Sequence, residues 1–294
     1  MTVQWSEKRP SRIETSWIYA KRFWYWRQNS APYISGDLFA DNADISVYPP
    51  KFRGEQPSIR QIRDATVIFC PSDKLNFFLE NYFKYISAKV IICGNSDVEF
   101  HELPSRVPST VRQLFLQNSF ISASRLVTTL PIGVENLRWG VNGIPKYFSI
   151  PGNDHKRQDK IVIGPFGLTH PIRKEIINLY PEGFNEFIVL RDRLSPKNYS
   201  RIVQSVKYVA AVRGNGVDTH RVWETLYRGA FPIIQRDNWS LSLESLHLPL
   251  LYTDSWDSKT LRSVCKNSKD LKFEPNRTKS LWWPYWKKLI NSYT

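Results

Sequence analysis

The chain has 294 residues and a mass of 34.5 kDa, with 41% hydrophobic, 14% aromatic and 23% charged residues. These values exclude a disordered tail, a collagen-like fibre and a disulfide-dense miniprotein, and the length suits two domains or one large one. Lys and Arg total 41 against 27 Asp and Glu, a net charge of +14. Such a surface either is simply solvated or attracts polyanions, anionic lipid or phosphorylated small molecules.

The opening MTVQWSEKRPSR has no apolar core segment, which predicts no secretory leader. No stretch reaches the roughly 18–20 apolar residues of a membrane span. Three cysteines (Cys70, Cys93, Cys265), with no CxxC pair, argue against a disulfide framework. The expectation is a cytoplasmic chain, at most peripheral to a membrane. The run 17–27 (WIYAKRFWYWR) mixes aromatics with cations. It reads as a helix lying on an anionic membrane surface, or as a helix packing its aromatics on the body of the protein.

From residue 65 the pattern alternates. Residues 65–70 (ATVIFC) read as a buried strand, and 74–86 carry apolar residues at helical spacing. Further strands are predicted at 89–93, 111–116 and 125–130. The loop Gly94-Asn95-Ser96-Asp97 closes the strand at 89–93. Residues 145–158, rich in Pro, Gly and charge, read as a linker. The pattern then restarts, with strands at 160–163, 186–190, 207–212, 231–235 and 248–252. Helices are expected at 171–180, 195–205 and 219–228, with Gly229 as a C-cap. Residues 281–293 form a terminal aromatic amphipathic helix. Strands alternating with helices imply parallel, doubly wound sheets, whose ligands sit at the carboxyl ends of strands.

The most informative stretch runs from 208 to 236. A strand leads into Arg213-Gly214-Asn215-Gly216-Val217-Asp218 and then a helix. The two glycines permit unusual backbone conformations and a close approach to a ligand. The helix N-terminus favours an anion, and Arg213 and Arg221 suit phosphate. His220, Arg221 and Glu224 share one helix face, so Glu224 could accept hydrogen bonds from ribose hydroxyls. The alternatives are a surface Arg221–Glu224 pair and a simple turn.

The succession R-G-N-G-x-D-x-H-R-x-W-E-x-L-x-x-G-x-x-P-I-I at 213–234 resembles the C-terminal signature of exostosin-like and ribitol xylosyltransferase-like glycosyltransferases. The resemblance covers about 25 residues. Residues 111–118 with 131–136 resemble the end of that family's first domain, and the terminal helix resembles the one that crosses back to it. The resemblance implies the GT-B architecture: two Rossmann-like doubly wound domains facing a central cleft. Residues 1–150 would form the acceptor side and 151–294 the nucleotide-sugar side.

It makes Arg213, Gly214, Asn215, Gly216, Asp218, His220, Arg221 and Glu224 donor-site candidates. Thr169, His170 and Arg173, in a second loop at 164–173, join them, unless that loop is ordinary turn chemistry. The implied substrates are a nucleotide-diphosphate sugar and a glycan or lipid-linked acceptor. The implied reaction is inverting and metal-independent, and nucleic acid is not an expected partner. No acidic DxD pair follows an apolar strand, since Asp41 and Asp44 are not so placed, and the five histidines are scattered.

A sugar transfer with inversion needs a proton acceptor. Asp97 is the first candidate, followed by Asp37, Glu99 and His101; Asp97 also reads as a turn residue. A catalytically silent sugar-nucleotide or carbohydrate-binding protein, and a basic nucleic-acid-binding protein, are the competing classes.

Overall fold

The computed structural model describes residues 24, 28–50, 54–139, 141–148, 157–181 and 185–294. Apart from an exposed Trp24, the run 17–27 lies outside the described residues, and so do 149–156 of the expected linker.

The first half contains α1 (Gly36–Asp41), β1 (Ile45–Ser46), α2 (Ile59–Asp64), β2 (Val67–Pro71), α3 (Leu75–Tyr82), β3 (Val90–Gly94), β4 (Gln113–Gln117) and β5 (Val127–Leu130). The second contains β6 (Gln158–Ile163), α4 (Pro171–Leu179), β7 (Phe187–Val189), α5 (Pro196–Ser205), β8 (Val206–Ala210), α6 (His220–Tyr227), β9 (Phe231–Gln235), α7 (Asn238–Ser242), β10 (Leu251–Thr253), α8 (Ser258–Asn267) and α9 (Trp283–Asn291). Among the described residues no helix is long and apolar enough to cross a membrane.

The result is a mixed α/β protein with two five-stranded parallel sheets, Rossmann-like in kind. The first sheet runs in the order β1-β2-β3-β4-β5. Every connection steps in the same direction, and right-handed crossovers then fall on one face. That face holds Ile68, Ile91 and Leu114, covered by Ile62 of α2 and Phe78 and Leu79 of α3. The opposite face, with Phe69, Ile92 and Phe115, receives no crossover. Phe39 of α1 and Trp283, Trp286 and Ile290 of α9 cover it. The aromatic terminal helix therefore returns to the first sheet because one-way winding leaves an apolar face bare.

The expected double winding is thus corrected for this sheet. The expected helix between strands is also missing from β3 to β5, where Pro104 and Pro108 interrupt the first connection and the second spans only residues 118–126.

The second sheet runs β10-β9-β8-β6-β7. The chain steps from β6 to β7, returns past β6 to β8 and continues to β10. This sheet is doubly wound, with its switch point between β6 and β8. Loops leaving the carboxyl ends of strands at a switch point diverge and leave a crevice. Here those loops are 164–170 and 211–219, the two that the sequence singled out. One apolar core joins the halves: Val222, Trp223 and Leu226 of α6 belong to the same cluster as Phe69 and Trp286.

Candidate functional site

A cleft of about 610 Å³ opens at this switch point, between the halves. Its centre is the start of α6. Thr219 is the N-cap, with extended backbone (φ −126°, ψ 143°), yet its side chain makes no capping bond. Thr219 is only 7% exposed, and its Oγ1 has no hydrogen-bond partner among the described residues. A threonine at this position ordinarily satisfies an amide of the first turn. Val222 N donates back to Thr219 O at 3.0 Å, so the hydroxyl and the amides of His220 and Arg221 are what the helix start leaves without a partner among the described residues, and Thr219, His220 and Arg221 all line the cleft.

Gly214 and Gly216 serve close approach and not unusual conformation, because neither has a positive φ. A Cβ on Gly214 would stand 3.0 Å from an Arg173 guanidinium nitrogen and 3.2 Å from Thr169 Oγ1. On Gly216 it would stand 2.7 Å from Asn118 Nδ2 of the first half. The expectation of special backbone angles in this loop is corrected accordingly.

The cations divide into two kinds. Arg173 donates to Arg213 O (2.7 Å), Val212 O (3.1 Å), Gly167 O (3.0 Å) and Thr169 Oγ1 (2.9 Å). Arg221 donates to Gly164 O at 2.6 Å and to Pro165 O, and lies over the rings of Phe166 and Tyr199 at 5.0 and 5.2 Å. Both guanidiniums stitch the 164–170 loop to the rest of the site through neutral partners. Their positive charge stays uncompensated by these bonds. Burial, reinforced by Arg221, lowers the Arg173 pKa to about 10.

Arg213 differs. It pairs with Glu99 of the first half, and it does not line the cleft. His170 is also turned away: it caps α4, its side chain accepting from Ile172 N. Thr169 and Arg173 do line the cleft, together with Gly214, Asn215 and Gly216.

Glu224 and Arg228 form the inner wall. Arg228 is 1% exposed and lies 4.6 Å over the Phe148 ring. It donates to Ser200 Oγ at 3.1 Å and Glu224 O at 2.9 Å, and stands 3.7 Å from Glu224 Oε2. Burial raises the Glu224 pKa, and Arg228, His220 and Arg221 counter it. Sequence reasoning missed Arg228. Its signal was the i,i+4 spacing from Glu224, which a C-terminal helix cation shares with many surface residues.

Asp218 ties the halves together. Its Oδ2 accepts from Ile132 N (2.8 Å) and its Oδ1 from Trp223 Nε1 (2.9 Å), while its own N–H donates to Asn118 Oδ1 (2.9 Å). Both carboxyl oxygens are therefore bonded within the protein. Burial pushes its pKa up to about 7. His220 makes a second tie, with Nδ1 2.8 Å from Gly133 O. The 131–136 loop that meets them also places Glu135 on the cleft, where Glu135 accepts from Asn142 N at 2.7 Å.

Asp97 stands exposed at the mouth of the cleft, its Oδ2 accepting from Asn215 Nδ2 at 3.2 Å. Glu99 and His101 are 3.6 Å apart, and His101 stacks on Phe120. Asp37 lies apart from this cleft. It is 2.9 Å from Arg138 and accepts from Asn95 Nδ2 at 3.2 Å, at the edge of a second cavity of about 420 Å³.

Fold and site together define a Rossmann-like α/β protein with an arginine-lined crevice at a helix N-terminus. No protein-family model matches the chain, and no curated protein matches it.

Proposed function

We propose that the chain is a glycosyltransferase of the GT-B kind. In this reading it binds a nucleotide-diphosphate sugar in the cleft and passes the sugar to a glycan or lipid-linked acceptor, with inversion and without a metal. One observation carries the reading: the uncapped start of α6, where Thr219, its hydroxyl buried and partnerless, lines a cleft walled by arginines. A helix N-terminus with free amides is an anion site. Arg173 and Arg221, held by neutral partners, add fixed positive charge there. As the sugar leaves, negative charge grows on the diphosphate, and preorganised donors stabilise it with no reorganisation. The resemblance of residues 213–234 to exostosin-like enzymes supports the same chemistry, and the inner wall of Glu224 and Arg228 suits the polar nucleoside end.

The test uses Thr219→Val, which keeps shape and removes the hydroxyl. Because that hydroxyl caps nothing, thermal stability should stay unchanged. Calorimetric titration with UDP, GDP and dTDP should show at least one binding wild type. A hydrogen bond to a charged group contributes about 1.5–3 kcal/mol, so the variant should bind that ligand roughly tenfold to hundredfold more weakly. Equal binding by both proteins, or binding by neither, would sink the reading.

A further inference from the structure

We infer that His220 Nε2 is the proton acceptor of the transfer, an inference that rests on the glycosyltransferase reading. His220 is the first residue of α6 and borders the cleft, part-exposed. Its side chain reaches across to the first half, where Nδ1 lies 2.8 Å from Gly133 O. A carbonyl only accepts, so Nδ1 carries the hydrogen, and the neutral ring keeps its lone pair on Nε2.

The carbonyl that fixes this tautomer is itself fixed. Gly133 has φ +67°, and a Cβ there would stand 2.1 Å from Ile34 O. The next residue, Val134, donates to that same Ile34 O at 2.8 Å, and Ile132 N is held by Asp218. The ring is thus oriented from behind, as a base is oriented by a third group in other acid–base pairs.

Position separates His220 from Asp97. Asp97 is exposed at the mouth, with Oδ2 engaged by Asn215. His220 stands at the seam of the two halves, directly beside the amides proposed to hold the diphosphate. A sugar on that diphosphate and an acceptor entering along the first half meet over this seam. The charged groups that line the cleft with His220 are Asp97 and Glu135 from the first half, and Arg173, Arg193, Asp218, Arg221, Glu224 and Arg228 from the second.

In the step, the acceptor hydroxyl oxygen bonds to the anomeric carbon while its proton passes to Nε2. The bond from that carbon to the diphosphate oxygen breaks, and its electron pair leaves with the nucleoside diphosphate. The imidazolium then returns the proton to solvent. Water can replace the acceptor, so donor hydrolysis reports the same step.

The informative variant is His220→Asn, whose amide nitrogen can still donate to Gly133 O but which has no Nε2. Release of nucleoside diphosphate from UDP-glucose, GDP-mannose and dTDP-glucose is followed against pH, and nucleoside diphosphate affinity is measured separately. His220→Asn should leave affinity unchanged and lower turnover about 10²–10⁴-fold. The rise of rate with pH that a neutral imidazole requires should disappear. Added imidazole should restore part of the turnover of His220→Ala, a rescue that a structural role would not show.

Turnover unchanged in His220→Asn overturns the inference. So does a parallel loss of affinity and turnover, which would make His220 a phosphate ligand. Wild-type protein that binds a nucleoside diphosphate but turns over none of the donors also overturns it, while leaving nucleotide binding intact. Absence of binding in the wild type contradicts the underlying reading instead.

Discussion

At the scale of single residues, two neighbours at the start of α6 depart from what their residue types suggest. Asp218 sits inside the most informative motif, and its place there suggests a ligand contact. The structure binds both of its oxygens to Ile132 N and Trp223 Nε1. Its role is to hold the seam, which no spacing rule reveals because both donors come from the fold. Thr219 shows the reverse. A threonine before a helix reads as a cap, yet it caps nothing.

Burial raises the Asp218 pKa from its ordinary value of 3.8 to about 7. The folded state therefore holds a proton that the unfolded chain has lost between about pH 4 and 7. Asp218 stabilises the fold most below that window, and the contribution is lost as pH rises through it. Glu224, raised by burial as well, acts with the same sign. In Asp218→Asn the decline of stability from pH 4 to 7 should shrink without vanishing. The amide offers one acceptor to two donors, so the variant should also lose about 1–3 kcal/mol. Chemical denaturation across pH measures both effects, and an unchanged slope would show that Asp218 does not carry the titration.

At the scale of elements, the strands were legible because parallel strands buried on both faces are continuous apolar runs. The four runs beginning at 65, 89, 111 and 125 all form strands, each starting one or two residues later than predicted. Strand order was not legible. Nothing in the sequence distinguishes a sheet that steps one way from one that doubles back, since the choice lies in how long-range pairings compete. Short helices such as α1 and α7 carry too few turns to show a period.

The helix α9 was legible as an aromatic amphipath, but its reason emerges only with the strand order: it covers the face of the first sheet that winding leaves bare. Trp286 is fully buried there, edge-on to Phe39 and Phe115, with Nε1 donating to Ser280 O at 2.8 Å. Trp286→Ala should cost about 3–5 kcal/mol in denaturant unfolding. A loss below about 1 kcal/mol, the size of a typical surface change, would mean that α9 is an accessory to this sheet and not its second cover.

At the scale of the whole molecule, the cleft exists because two different windings meet. The doubly wound sheet supplies diverging loops at its switch point, and the one-way sheet supplies the 95–101 and 131–136 loops facing them. Ties between these sets cross the seam: Asp218 to Ile132, His220 to Gly133, Arg213 to Glu99 and Asn215 to Asp97. The last of these ties stands at the mouth. The loop side of this arrangement was readable from Gly, Arg and His in one short motif. The facing side was legible only in part: Asp97 and Glu99 act through their carboxylates and stood among the candidates, whereas Ile132 and Gly133 act through a backbone amide and carbonyl that any sequence possesses.

The central claim is that a nucleoside diphosphate binds at the start of α6. Hydrogen exchange of the backbone amides, with and without saturating UDP or GDP, locates the ligand directly. The account predicts slowed exchange confined to the peptides spanning 214–222 and 167–173, where free amides and Arg173 meet the cleft. Slowed exchange elsewhere, at the second cavity beside Asp37 for example, or no change with any nucleoside diphosphate, would contradict it.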